Sequence, residues 1–229
     1  MLYARWRGLG AVAKAEHVLA LAGSVGGEAR VLDIGCGDGA LIAELARRRP
    51  GWAFAGVEIA ERAVELAAGR CPEADIRRYD GAVLPFAERA FDLAVLSHVL
   101  EHVADPVAVL REAGRVAARV IVEVPLEANV SARRAGKRGI AADVGHIQRF
   151  SAAGVAGVAQ AAGLRVVADV SDPLGRGVHV FFAGSAGARV TGTLKWMVRT
   201  GVHGVSTRLA QRLFTVHYAC LCEAAAAAR

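Results

Sequence analysis

A chain of 229 residues with 54% hydrophobic and 22% charged side chains carries enough apolar material for a buried core, which excludes a disordered polymer and fits one domain of ordinary α/β size. The formal charge of +6 suits a nucleic acid, an anionic substrate, a phosphate-bearing cofactor or a plain solvated surface, so charge alone selects no partner. No apolar run reaches the roughly 18 residues of a membrane span, and neither an apolar core nor a cleavage site follows the arginines of MLYARWRGLG. A cytoplasmic protein with no membrane partner is expected. Cys36, Cys71, Cys220 and Cys222 are too irregularly spaced for a disulfide framework or a zinc knuckle, which predicts reduced thiols, with Cys36 as a small filler.

In chain order, GAVAKAEHVLALA has apolar residues at helical spacing, and RVLDIG reads as a buried strand. ALIAELARRRPG is an amphipathic helix with basic residues in its last turn and a Pro-Gly stop. A second strand (AFAGVEI), a helix (AERAVELAAGR) and a short third strand (ADIRRYD) follow. After a loop through Pro85 come the strand FDLAVLS, a helix from Pro106 to about Ala113, and the strand RVIVEVPL. Asp105 fits as the N-cap of that helix with Pro106 at its first position, and Ser151 and Gly163 fit as cap and stop of SAAGVAGVAQAAG. LRVVADV is a sixth strand and FTVHYACLCE the last; between them VHVFFAG is either a strand or the approach to helices around Trp196 and Leu209. Strands alternating with helices imply right-handed crossovers and a doubly wound, mainly parallel α/β sheet.

The chemistry concentrates in DIGCGDG, 33–39, at the end of the first strand. Ligands of open parallel sheets bind beyond the strand ends near the switch in strand order, and glycines let the backbone turn sharply and approach a ligand. A phosphate-cradling loop needs GxxxxGK[ST], and no Lys follows Gly39. A dinucleotide loop places glycines differently and seats a pyrophosphate, which an acid at position 33 repels. That acid suits a cation.

The acid followed by Gly35, Gly37 and Gly39, with GVEI, RRYDG and FDLAVLSHVLEHVADP downstream, resembles the class I S-adenosylmethionine (SAM)-dependent methyltransferases over about residues 30–164. The resemblance implies a seven-stranded sheet with the last strand antiparallel, SAM as cofactor, and cofactor contacts from Asp33, Gly35, Cys36, Gly37, Glu58, Ile59, Asp80, Gly81 and Ser97. Within that set Glu58 is expected on the ribose hydroxyls and Asp80 on the adenine amino group. Leu84 and Phe86 either sandwich the purine or belong to the core. Tyr3, Trp6 and Arg7 form either a flap over the cofactor or a frayed end. The chain is then one methyltransferase domain, 1–229, with substrate-shaping insertions at about 127–148 and 178–212, and Trp196, Met197, Leu209 and Phe214 either cover the site or pack on the sheet.

Methyl transfer requires a positioned nucleophile and a proton acceptor. His98, Glu101 and His102 share one face if SHVLEHV is helical, and His146 in GHIQRFS comes from a later loop. His146, then His102 and His98, are the candidate bases; the same three with Glu101 form a candidate metal set. That set is similar to the Glu-x-x-Glu-His plus distant His of metal-dependent small-RNA 2′-O-methyltransferases, with His98 in place of a Glu, which shifts preference from Mg²⁺ towards Zn²⁺, Mn²⁺ or Fe²⁺. His17, His179, His203 and His217 are expected to be ordinary surface or satisfied core residues. The function expected is transfer of a methyl group to oxygen or nitrogen of a small-molecule metabolite, and the Ala, Arg and Gly usage suits a high-GC bacterium. The alternatives are a metal-assisted RNA 2′-O-methyltransferase, on the basic stretches, and a protein of the same fold that acts as a lyase, cyclase or binder.

Overall fold

In the computed structural model, which describes residues 2–23, 25–133 and 145–225 and the first few of these by backbone alone, the chain opens with helix α1 (Leu2–Leu21), longer than the periodicity suggested. Then follow β1 (Arg30–Ile34), α2 (Ala40–Arg48), β2 (Ala53–Glu58), α3 (Glu61–Arg70), β3 (Asp75–Arg78) and β4 (Phe91–Ser97). A 3₁₀ turn, Leu100–His102, precedes α4 (Pro106–Val116), β5 (Ala117–Pro125) and a second short turn, Ser131–Arg133. The basic run from Ser131 continues into residues outside those described. Beyond it lie α5 (Ala152–Ala161), β6 (Leu164–Asp172), α6 (Arg176–Val180), α7 (Ala186–Val205), α8 (Thr207–Leu213) and β7 (His217–Ala224). VHVFFAG therefore belongs to α6 and the turn after it.

The seven strands form one sheet in the order β3-β2-β1-β4-β5-β7-β6, with β7 antiparallel to both neighbours and every other pairing parallel or linked through it. Alternation along the strands divides the core into two layers. Val31, Leu93, Val95 and Ile121 meet Ala15 and Val18 of α1 and Leu41 and Leu45 of α2. Their sequence neighbours Leu32, Ala94, Leu96 and Val122 point the other way, onto Leu110 and Val116 of α4 and Val155 and Ala159 of α5.

The helix ends follow local chemistry. Asp105 Oδ1 accepts from the Ala108 N–H at 2.9 Å and Ser151 Oγ from the Gly154 N–H at 3.1 Å, each satisfying an amide that the helix leaves open. Gly163 closes α5 at a φ of 82°, in the left-handed region that a stop glycine supplies. The strand order reverses between β1 and β4, so the loops leaving these two strands diverge and open a cleft at their carboxyl ends. Among the described residues no helix is long and apolar enough to cross a membrane.

Candidate functional site

The glycine loop forms one wall of that cleft, which measures about 580 Å³, within the range of small-molecule sites. Gly35 sits at a φ of +73°, and a Cβ there would stand 2.7 Å from Val99 Cγ2. Gly39, at +76°, would put a Cβ 3.1 Å from the Ala67 backbone of α3. These two glycines therefore serve the turn and the packing behind it as much as any ligand in front. Gly35 N–H and Cys36 N–H donate to the Val57 carbonyl at 2.8 and 3.0 Å, and the Gly37 N–H donates to Glu58 Oε2 at 3.0 Å. Glu58 Oε1 accepts from the Ile59 and Ala60 N–H groups at 2.8 and 3.0 Å. One acid thus stitches the loop to the end of β2 while an Oε2 lone pair remains for a ligand hydroxyl.

Asp33 lies at the base of the cleft, 4% exposed. Burial pushes its carboxyl up to about 7, Lys14 of α1 opposes the rise, and the charges of Glu58 and Glu123 add to it. Cys36 also lines the cleft, but burial raises its thiol far above the ordinary range, which makes it a filler and not a nucleophile. All four cysteines are buried free thiols. Ser97 lines the facing wall; Ile59, Asp80 and Gly81 stand outside this lining. Asp80 is exposed, its Oδ1 accepting from the Ala82 and Val83 N–H groups at 2.9 and 3.1 Å, and these bonds hold its carboxyl below the usual range.

Leu84 and Phe86 belong to the core. Leu84 is 3% exposed, and Phe86 packs edge-on against Phe91 at 4.8 Å with the Arg77 guanidinium over its other face. The exposed apolar side chains near Asp80 and Gly81 are Ile59 and Val83, and sequence reasoning missed Val83. Trp196, Met197, Leu209 and Phe214 do not line the cleft; Met197 and Leu209 are exposed and Phe214 lies under Arg199. Leu174 and Val178 reach it from the same part of the chain. The side chains of Tyr3, Trp6 and Arg7 lie outside the described residues.

The facing wall corrects the helical reading of SHVLEHV. His98 has a φ of 59° and lies between β4 and the 3₁₀ turn that carries Glu101 and His102, so the three side chains do not share a helix face. The candidate metal set divides in two. Ligating atoms of Glu101, His102 and His146 lie within 4.8 Å of one another, while His98 groups at the same separation with Glu123 and His217. His102 Nδ1 stands 3.1 Å from the Gly145 carbonyl, and its ring meets that of His146 edge-on at 4.9 Å. His146 Nδ1 bonds Glu127 Oε2 at 3.0 Å. His98, His102 and His217 line the cleft; His146 stands behind His102.

Behind this wall lies a buried polar cluster built on Glu123 and Asp172, two acids that sequence reasoning passed over. Glu123, near the carboxyl end of β5, is 1% exposed; it accepts from His17 at 2.9 Å through Oε1 and from the Ser97 hydroxyl at 2.7 Å through Oε2. His17 of α1 reaches Asp172 Oδ2 at 2.7 Å with its other nitrogen. Burial alone would depress the His17 pKa, but the bonds to Asp172 and Glu123 carry it up to about 10. Burial opposes ionisation of Glu123 as well, yet His17 and the neighbouring imidazoles hold it far below the usual carboxylate range. His217 is lowered to about 4 by burial and by His98. The signal that could have pointed to this cluster is an acid inside the apolar strand RVIVEVPL, which a core tolerates only with partners. His17 is a satisfied core residue as expected, whereas His217 opens onto the cleft.

A family model described as the methyltransferase domain matches residues 5–169. No curated protein matches the chain. Among solved structures, it is similar to a putative sarcosine dimethylglycine methyltransferase from Galdieria sulphuraria (TM-score 0.63, 15% identity, 90% of this chain and 82% of that one). It is similar to geranyl diphosphate C-methyltransferase from Streptomyces coelicolor A3(2) in complex with Mg²⁺, geranyl diphosphate and S-adenosyl-L-homocysteine (TM-score 0.68, 14% identity, 93% and 78%). It is also similar to the [4+2]-cyclase SpnF (TM-score 0.61, 19% identity, 88% and 77%). At these identities the structures speak for the fold alone. The family match over most of the chain, the strand order and the acid-bearing glycine loop converge: this chain belongs to the class I SAM-dependent methyltransferase family.

Proposed function

We propose that the protein transfers the methyl group of SAM to an oxygen or nitrogen of a small-molecule acceptor. The observation that carries this reading is a single cleft with the glycine loop, Asp33 and Glu58 on one wall and His98 and His102 on the other. The residues present fit the cofactor: Glu58 keeps an Oε2 lone pair for ribose hydroxyls, and a buried Asp33 carboxylate, when ionised, would favour a positive charge beside it. When bound, SAM supplies an electrophilic methyl on a sulfonium. Asp80, Ile59 and Val83, outside the cleft lining, would hold the adenine if they join the cofactor site.

His102 is the proton acceptor in this reading. Its Nδ1–H donates to the Gly145 carbonyl, which fixes the tautomer and leaves Nε2 basic. His146, anchored by Glu127, supports the His102 ring edge-on and so acts as a positioning residue. His102 Nε2 would accept the acceptor's hydroxyl or amine proton, while SAM, when bound, would supply the methyl to that oxygen or nitrogen and leave as its neutral thioether. Leu174 and Val178, which line the cleft, would border the acceptor.

The test is calorimetry with SAM and with its demethylated product, followed by label transfer from methyl-labelled SAM to a panel of hydroxyl and amine metabolites. His102→Ala is expected to keep cofactor affinity and lose about 10²- to 10⁴-fold in turnover, the usual worth of a positioned base. Protein that binds both nucleosides yet never forms the demethylated product with any acceptor would assign the fold to a non-methylating role.

A further inference from the structure

The second polar group in the cleft wall has a composition that methyl transfer by His102 does not use. Among the described residues, the buried His98 Nε2 and His217 Nδ1 have no hydrogen-bond partner. Two imidazole nitrogens left so in a protein interior forfeit a hydrogen bond each, which is costly unless something else takes their lone pairs. One ligand atom from each of His98, Glu123 and His217 lies within 4.8 Å of the others, with His217 Nδ1 3.8 Å from Glu123 Oε1 and the two rings 4.8 Å apart at 73°. Three ligands around a tetrahedral ion with bonds of about 2.1 Å stand ~3.4 Å apart, so a modest inward movement closes the set.

We propose that His98, Glu123 and His217 form a site for one divalent first-row transition ion, of the Zn²⁺ or Co²⁺ type, with its remaining coordination position open to the cleft. Two imidazoles and a carboxylate are a ligand set for such ions and not for Mg²⁺ or Ca²⁺, which take oxygen. The outer partners are in place as well. Glu101 Oε1 lies 3.0 Å from His98 Nδ1, which directs Nε2 towards the site, and Ser97 and His17 hold the two oxygens of Glu123. Sequence spacing pairs His98 with Glu101, His102 and His146; the fold instead makes Glu101 the support behind His98. Since His98 and His217 line the cleft, the open position admits an acceptor oxygen, a hydroxyl or carboxylate, and this last step rests on the methyl-transfer reading. The metal site itself does not.

The experiment strips the full chain with a chelator and titrates it with Co²⁺, followed by visible absorption, and with Zn²⁺, followed by calorimetry. One equivalent is expected to bind. His217→Ala and His98→Ala should each weaken Co²⁺ binding by more than the about 10- to 100-fold that loss of an outer partner such as Glu101 brings in Glu101→Gln. His146→Ala should leave Co²⁺ affinity and spectrum unchanged. SAM binding to the stripped protein and near-ultraviolet circular dichroism report folding separately. Failure of the wild-type chain to take up either ion overturns the proposal. So does loss of the ion in His146→Ala with retention in His217→Ala, which would place it on Glu101, His102 and His146. If His217→Ala does not fold, His98→Ala and Glu101→Gln decide by the same comparison, and failure of SAM to bind in an otherwise metal-competent protein counts against the methyl-transfer reading alone.

Discussion

His17 joins α1 to β5 and β6 through two carboxylates, and replacing it with Gln isolates what that ion pair contributes. Folded, the imidazole keeps its proton up to about pH 10; unfolded, it releases it near the ordinary 6.5. The sign follows from which state holds the proton. Below pH 6.5 both states are protonated and the stabilisation is complete; between 6.5 and 10 only the folded state is, so stability falls by about 1.4 kcal/mol per pH unit. From pH 6 to pH 8 the loss amounts to about 2 kcal/mol, and across the whole window to roughly 5 kcal/mol. That larger figure agrees with the about 3–5 kcal/mol cost of leaving one member of a buried pair alone, here Glu123 at 1% exposure. Glu123 and Asp172 are shifted down, so their share appears only above the ordinary carboxylate range and is lost in acid. Urea unfolding of wild type and His17→Gln at pH 6, 7.5 and 9 measures the difference directly. The gap between them should be widest at pH 6 and shrink by about 1.4 kcal/mol per unit above 6.5. A gap that stays constant from pH 6 to 9 would mean that His17 is not charged in the fold.

Asp33 titrates near 7 because it is buried, so SAM, a cation, should bind more tightly as pH rises through 7 and lose up to about tenfold per unit below it, while the neutral demethylated product changes much less. Isothermal calorimetry from pH 5.5 to 8.5 reads this, and Asp33→Asn should flatten the SAM curve. Gly35→Ala places a Cβ 2.7 Å from Val99 Cγ2 at a φ of +73°, which predicts about 2–4 kcal/mol of destabilisation from strain and overpacking. Adding Val99→Ala should recover the packing part only, leaving about 1–2 kcal/mol of backbone strain in a denaturation experiment.

The fold was legible because its signals are local. FDLAVLS occupies β4 from first residue to last, and the caps at Asp105 and Ser151 and the stop at Gly163 each depend on chemistry within a few positions. On the glycine-loop wall, the lining position of Glu58 follows from the end of β2. The other wall failed where the sequence offered only spacing. A separation of four between His98 and His102 places two side chains together on an α-helix, yet His98 adopts a left-handed conformation just after β4 and Leu100–His102 wind as a 3₁₀ turn. His17 and Glu123 are 106 positions apart, and His217 reaches the cluster through the β5–β7 pairing that sets it opposite Pro125. Such convergence is a property of register and sheet order, which no periodicity in a short window reports. Leu84 and Phe86 were ambiguous for a related reason: an apolar residue after a loop faces either a ligand or the core, and only the packing of Phe86 on Phe91 decides it.

The two walls are electrostatically one system. Glu58 and Glu123 both raise Asp33, and Lys14 of α1 acts on Asp33, Glu123 and His217 together. A positive charge introduced at either wall therefore relieves the same buried carboxylates. Ion binding at His98, Glu123 and His217 would offset the charge of Glu123 and lower the pKa of Asp33, which leaves more of the carboxylate ionised near neutrality and moves the pH dependence of SAM binding to lower values. At the same time the ion's own charge repels a sulfonium. The net coupling is the difference of these terms, and linkage makes it reciprocal, so whatever factor the ion applies to SAM affinity, SAM applies to the ion. After transfer the sulfonium becomes a neutral thioether and the repulsive term vanishes while the effect on Asp33 remains. The demethylated product should accordingly be tolerated better beside the ion than SAM is, and Lys14, already in the cleft lining, sets how much of that contrast survives.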